Sequence, residues 1–159
     1  MNSSGDPVLR PARPEDAEAV RTLTRAAYAP WAALIGREPL PMGFDHAAMI
    51  RDHLVDVLWE DGVLIAAIEM VTRSDDLLIE NIAVDPGEQG RGLGGRLLAH
   101  AELVARSRGL NRVRLYTNSR FATNIALYER RGYERERQEP IADGFVVHMK
   151  RDLPPTELR

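Results

Sequence analysis

The segment Gln89-Gly90-Arg91-Gly92-Leu93-Gly94-Gly95-Arg96 constrains this chain more than any other. Before it, Leu77 to Val84 reads as a strand. After it, Leu93, Leu97, Leu98, Ala101, Val104 and Ala105 recur at helical spacing. Glycines between a strand and a helix let the backbone bend tightly and bring its N–H groups close to a ligand. The helix N-terminus adds aligned donors and partial positive charge, and Arg91 and Arg96 add full charge. Such a turn suits a pyrophosphate; a flexible turn that holds nothing is the plain alternative. Gly90, Gly92 and Gly95 also satisfy the G-x-G-x-x-G of dinucleotide folds. There, however, the glycines follow the strand directly, whereas Asp85 to Gln89 intervene here. That fold also places an acidic residue roughly twenty positions on, and Asn111 to Asn118 contains none.

The remaining pattern is one of alternating strands and helices. Val8 to Arg10 reads as a first strand, and Arg13-Pro14-Glu15-Asp16 as a helix start with Ala17, Val20, Leu23 and Ala27 on one face. Pro30 is expected to end or kink that helix, leaving Trp31 to Phe44 irregular. Asp45 is placed to cap a second helix to about Leu54. Val57 to Glu60, Val63 to Thr72 and Leu77 to Val84 make an antiparallel meander, with Asp61-Gly62 as a type I′ turn. Gly109 is placed to close the helix after the glycine turn. Then come a half-exposed strand, Arg112 to Tyr116, a short helix, Thr123 to Arg131, closed by Gly132, and a final strand pair around Asp143-Gly144. The expectation is one α/β domain over residues 1–159, with a mixed sheet and about four helices.

Charge and composition narrow the partners. Net charge is −3, but residues 1–88 carry 7 Lys/Arg against 16 Asp/Glu and residues 89–159 carry 14 against 8. An acidic half can draw a cation; a solvated surface explains the same numbers. No run of Lys/Arg marks a nucleic-acid site, and no apolar stretch reaches membrane-spanning length. The polar residues 1–7 do not read as a signal peptide, so the expected location is cytoplasmic. With no cysteine, thiolate metal sites and cysteinyl intermediates are excluded. His46 and His53 lie seven apart but lack further ligands, so no metal is expected.

Three segments in order carry a family resemblance. Gln89 to Gly94 matches the Gln/Arg-x-x-Gly-x-Gly/Ala signature of the GNAT acetyltransferases. Asn81-Ile82-Ala83-Val84-Asp85-Pro86 resembles the strand that family sets before its pyrophosphate loop. Ala126-Leu127-Tyr128-Glu129-Arg130-Arg131-Gly132-Tyr133 resembles its aliphatic–Tyr–x–x–x–Gly–aromatic segment. The likeness implies a GNAT-like fold with splayed central strands and acetyl-CoA as acyl donor. It places pantetheine along the backbone of Ile82, Ala83 and Val84, and the pyrophosphate on the N–H groups of Gln89, Gly90, Arg91, Gly92, Leu93, Gly94 and Gly95. Asn124 would bond a pantetheine amide or serve as a helix cap.

The resemblance also implies direct attack of a neutral amine on the thioester, with an acid for the departing thiolate. Tyr128 falls at the acid's position; packing beneath the cofactor is the other reading. Strand alternation puts Leu78, Glu80, Ile82 and Val84 on one face. A carboxylate there needs a partner, water or a function, so Glu80 is the candidate base, acting directly, through water, or only as a hydrogen-bonding residue. Some family members carry a catalytic Glu at the place of Leu78. Tyr28, Trp31 and Arg37 lie where similar proteins close over substrate; packing of the first helix is the alternative for the aromatics. The expected acceptor is a small-molecule amine, and a homodimer is allowed. A peptide acceptor and a non-catalytic acyl-CoA sensor remain as alternatives.

Overall fold

A computed structural model describes residues 6–155. Seven strands are β1 (Val8–Pro11), β2 (Leu54–Glu60), β3 (Val63–Thr72), β4 (Leu77–Val84), β5 (Arg112–Asn118), β6 (Glu134–Ile141) and β7 (Gly144–Asp152). The helices are α1 (Ala17–Ile35), α2 (His46–Asp52), α3 (Leu93–Ser107) and α4 (Ala122–Arg130). The sheet runs in the order β1-β2-β3-β4-β5-β7-β6. β4 and β5 pair in parallel, Leu77–Ile79 against Val113–Leu115, and β7 pairs antiparallel with β5 and β6. The mixed sheet and four helices match the expected fold class. The described chain forms two compact units, one comprising residues up to Met70 with Asn81–Gly94, the other Val71–Glu80 with the residues from Gly95 on.

In the first unit, Val20, Leu23, Val55, Val57, Leu64, Ala67 and Ala83 make a buried cluster, with Ala12, Ala27, Met49 and Trp59 packed against it. Asp61 and Gly62 both have positive φ, 51° and 76°, as a type I′ turn requires between β2 and β3. The Asp45 carboxylate accepts from the Ala48 N–H at 3.0 Å and caps α2. Two expectations need correction. The first helix begins as a 3₁₀ turn, Pro14–Asp16, and becomes α-helical at Ala17. It also runs through Pro30 to Ile35, so Trp31 is helical. Proline removes one hydrogen bond, yet Ala32, Ala33 and Leu34 are strong helix formers, and Gly36 closes the helix in the left-handed conformation at φ 75°.

In the second unit, Leu77, Ile79, Leu97, Leu98, Ala101, Val113, Leu115, Val147 and Met149 are buried. The charge asymmetry of the sequence is partly consumed inside each unit. Buried Asp76 receives Arg73 at 2.6 Å and Arg114 at 2.6 Å; in the first unit Arg91 binds Glu60. Burial alone pushes the Asp76 carboxyl up, but the two guanidinium hydrogen bonds outweigh it and hold the group below its ordinary value. A depressed carboxyl contributes stability above its unfolded-state pKa of about 4, and that contribution is lost as pH falls through the folded value. Asp76→Asn is therefore expected to be less stable than the parent at pH 7, with the gap narrowing below about pH 4. Urea midpoints at both pH values check this; a gap independent of pH would detach Asp76 from acid stability.

Candidate active site

The turn before α3 is built from local chemistry. The Asp85 N–H bonds to Ile65 O at 2.9 Å as β4 ends. The Asp85 carboxylate then accepts from the Gly87 N–H at 2.8 Å, shaping the 3₁₀ turn Pro86–Glu88. Gly90 and Gly92 take φ values of 89° and 75°, which side-chain-bearing residues rarely adopt. A Cβ added at Gly90, Gly92 or Gly95 would meet no protein atom within 4 Å. Glycine is thus required at 90 and 92 by backbone conformation, while the space beside all three is open to a ligand. Leu93 begins α3 and is buried.

Arg91 departs from its expected role. Its guanidinium bonds both Glu60 oxygens at 2.8 Å and Glu88 at 2.6 Å, so its charge is already matched by two carboxylates. What Arg91 still offers an anion is its backbone. Tyr28, placed on the substrate side by the sequence, donates its hydroxyl to the Ile82 carbonyl at 3.3 Å. The structure thus joins a substrate candidate to a cofactor candidate. Trp31 is half-buried on α1 and Arg37 is exposed just past its cap.

On β4 the alternation holds: Leu77, Ile79, Asn81 and Ala83 are buried, and Leu78, Glu80, Ile82 and Val84 are half-buried. Glu80 has a partner, the Tyr116 hydroxyl, which donates to its Oε2 at 2.5 Å. Burial, reinforced by that bond, holds the Tyr116 phenol above its ordinary range. Tyr116 also contacts the His148 ring across the β5–β7 ladder, with centroids 6.1 Å apart. A cavity of about 610 Å³ in this unit is lined by Arg73, Leu78, Arg114, Leu115, Tyr116, Glu136, Arg137 and His148.

Tyr128 lies on α4, buried and edge-to-face with Tyr133 at 6.2 Å. Burial pushes its phenol up to about 12, so it remains a proton donor through the neutral range. Asn124 is half-buried in the first turn of α4. The cap position is Phe121, with no side-chain cap, so the capping alternative for Asn124 is not realised.

Sequence reasoning passed over two features. One is Tyr116, whose signal was present: it sits on a half-exposed strand beside the one carrying Glu80. The other is a buried network in the first unit, where His46 Nδ1 meets Glu69 at 2.9 Å and Asn81 donates to Glu69 at 2.8 Å and to Thr24 at 3.2 Å. An acid inside the apolar run Val63 to Thr72 was its signal. His46 and His53 do not share a site, since His46 is buried at the start of α2 and His53 is exposed beyond its end.

The model of the acetyltransferase (GNAT) family matches residues 18–133. The chain belongs to the GNAT acetyltransferase family. A mycothiol acetyltransferase of Beutenbergia cavernae is 43% identical over 95 residues, which are 59% of this chain and 29% of that protein. The chain thus spans under a third of the length of that curated relative. Two solved GNAT-fold structures align over nearly their whole lengths. The ribosomal-protein-S18-alanine N-acetyltransferase of Escherichia coli has a TM-score of 0.76 at 23% identity, covering 95% of this chain and 96% of that one. The PaiA N-acetyltransferase of Thermoplasma acidophilum, in complex with coenzyme A, has a TM-score of 0.74 at 18% identity, covering 93% and 99%. At those identities the likeness concerns the fold alone. Among the described residues of this GNAT chain, no helix is long and apolar enough to cross a membrane.

Proposed function

We propose that this protein transfers an acetyl group from acetyl-CoA to the primary amine of a small molecule by direct attack. The observation that carries the reading is the turn before α3, where Gly90 and Gly92 hold positive φ beside open space in a chain of the GNAT family. Backbone N–H groups from Gln89 to Gly95 would hold the pyrophosphate, with the helix N-terminus adding its partial charge. Ile82, Ala83 and Val84 would pair with pantetheine amides as a strand pairs with a peptide, and Asn124 would bond one of those amides. Tyr28 would then give up its bond to Ile82, or keep it and steady the strand. Tyr128 would protonate the departing thiolate, and Glu80 would receive the proton that the amine loses. The small-molecule acceptor is supported by the mycothiol acetyltransferase relative.

Acetyl-CoA at 100 times its dissociation constant would add about 2.7 kcal/mol of stability. For a chain of this size that is about 5 to 11 °C in Tm. NAD should give no shift. Gly92→Val should largely abolish the acetyl-CoA shift, because a β-branched residue is strained at φ 75° and would fill the open space. Equal shifts with both ligands would count against the donor assignment. CoA release measured with n-propylamine, spermidine, glucosamine and an unblocked peptide tests the acceptor class. Release with the peptide alone would replace the small-molecule reading.

A further inference from the structure

An amine that enters as an ammonium ion must lose a proton before it can attack a thioester. In the second unit, Tyr116 lines the 610 Å³ cavity, while Glu80 is not among the lining residues; the Tyr116 hydroxyl donates to Glu80 Oε2 at 2.5 Å. We propose that Tyr116 is the group the acceptor ammonium meets in this cavity, and that its hydroxyl relays the ammonium proton to Glu80. The inference rests on the reading of the chain as an amine acetyltransferase, and it names the acceptor as cationic.

The step balances without another reagent. An N–H bond of the ammonium breaks as its proton bonds to Tyr116 Oη, while the original phenolic proton passes to Glu80 Oε2. The phenol ends neutral, Glu80 ends as a carboxylic acid, and the amine keeps the electron pair that attacks the carbonyl. Glu80 returns its proton to solvent before the next turnover. Burial, with the Glu80 bond adding to it, keeps the Tyr116 phenol from ionising by itself, so exchange of one proton for another is the route open to it.

The charges around Tyr116 admit a cation. On β4 stands Glu80, and on β7 His148, whose Nε2 bonds Glu139 of β6. Arg73 is held by Asp76, Arg114 by Asp76 and Glu136, and Arg137 by Glu139. Three guanidiniums thus face four carboxylates: Asp76, Glu80, Glu136 and Glu139. Arg73 also feels the Glu80 charge, and Lys150 and Arg112 act on Glu136, but the carboxylate bonded to Tyr116 is the one of the four without a direct ion pair among the described residues.

The test uses two probe amines at saturating acetyl-CoA. n-Propylamine is strongly basic and protonated at pH 7; 2,2,2-trifluoroethylamine is weakly basic and largely neutral there. Tyr116→Phe should lower kcat for propylamine about 10²-fold or more at pH 7, with partial recovery at high pH. The loss with trifluoroethylamine, which enters already neutral, should be much smaller than the loss with propylamine. Glu80→Gln should reproduce this pattern, and the double variant should fall no further, because two groups in one relay are not additive. As a second readout, tyrosine labelled at Cζ should show the Tyr116 signal shifting when propylamine is added to the CoA-loaded protein. A wild-type pH profile in Tyr116→Phe, equal loss on both amines, or no shift of the labelled signal would overturn the relay. If the parent shows neither a thermal shift with acetyl-CoA nor CoA release with any amine, the acetyltransferase reading itself falls, and the relay with it.

Discussion

Tyr128→Phe is expected to lower turnover with n-propylamine by about 10² to 10⁴-fold, the usual contribution of a positioned general acid, while acetyl-CoA affinity changes little. The substitution removes one oxygen and keeps a ring that is buried and packed edge-to-face on Tyr133 at 6.2 Å. No hydrogen bond from the Tyr128 hydroxyl is found among the described residues, so its loss leaves no partner unsatisfied and folding stability should hold. The same burial lifts the phenol to about 12. Its proton is therefore present throughout the working range, and loss of the acid form should not limit the rate until pH approaches that value. Calorimetric titration of acetyl-CoA separates binding from turnover. Parent-like kcat in the variant would remove Tyr128 from the chemistry and leave it as packing.

What the sequence disclosed were features that depend on near neighbours. The Asp61-Gly62 turn, the Asp45 cap and the strand–glycine–helix order each arise within a few residues, and the structure carries all of them. Parity along β4 was also legible, because alternation is a property of any strand. Pairings between distant segments were not. Glu80 and Tyr116 are 36 positions apart, and which strand lies beside β4 follows from sheet order. Arg91 seemed free to meet phosphate because Glu60, which holds it, is 31 residues away. Pro30 misled for a different reason: a single lost hydrogen bond near a helix end is outweighed when the next residues favour helix and a glycine closes the turn beyond them.

The largest effect on stability is expected at Glu69, which is fully buried on β3 beside a His46 that is 3% exposed. A carboxylate taken out of water is costly unless its oxygens are matched by donors and opposite charge. Here one oxygen receives Asn81 at 2.8 Å, and both lie within 3.0 Å of His46 Nδ1. The match is incomplete elsewhere in the network, since His46 Nε2 and Asn81 Oδ1 are buried without partners. Such a network contributes little net stability when whole, yet losing one member leaves the others stranded. His46→Ala and Glu69→Ala should each cost about 3 to 5 kcal/mol, or about 6 to 20 °C in Tm. Glu69→Gln keeps the shape and can still bond one neighbour, so it should cost less than Glu69→Ala. Replacing both ionisable members together, as Glu69→Met with His46→Leu, should recover much of the loss, because buried pairs tolerate apolar replacement far better than the removal of one partner. Urea unfolding of the two single variants and the double variant decides the matter. Single losses below about 1 kcal/mol, or losses that simply add in the double variant, would mean that Glu69 and His46 are not energetically coupled.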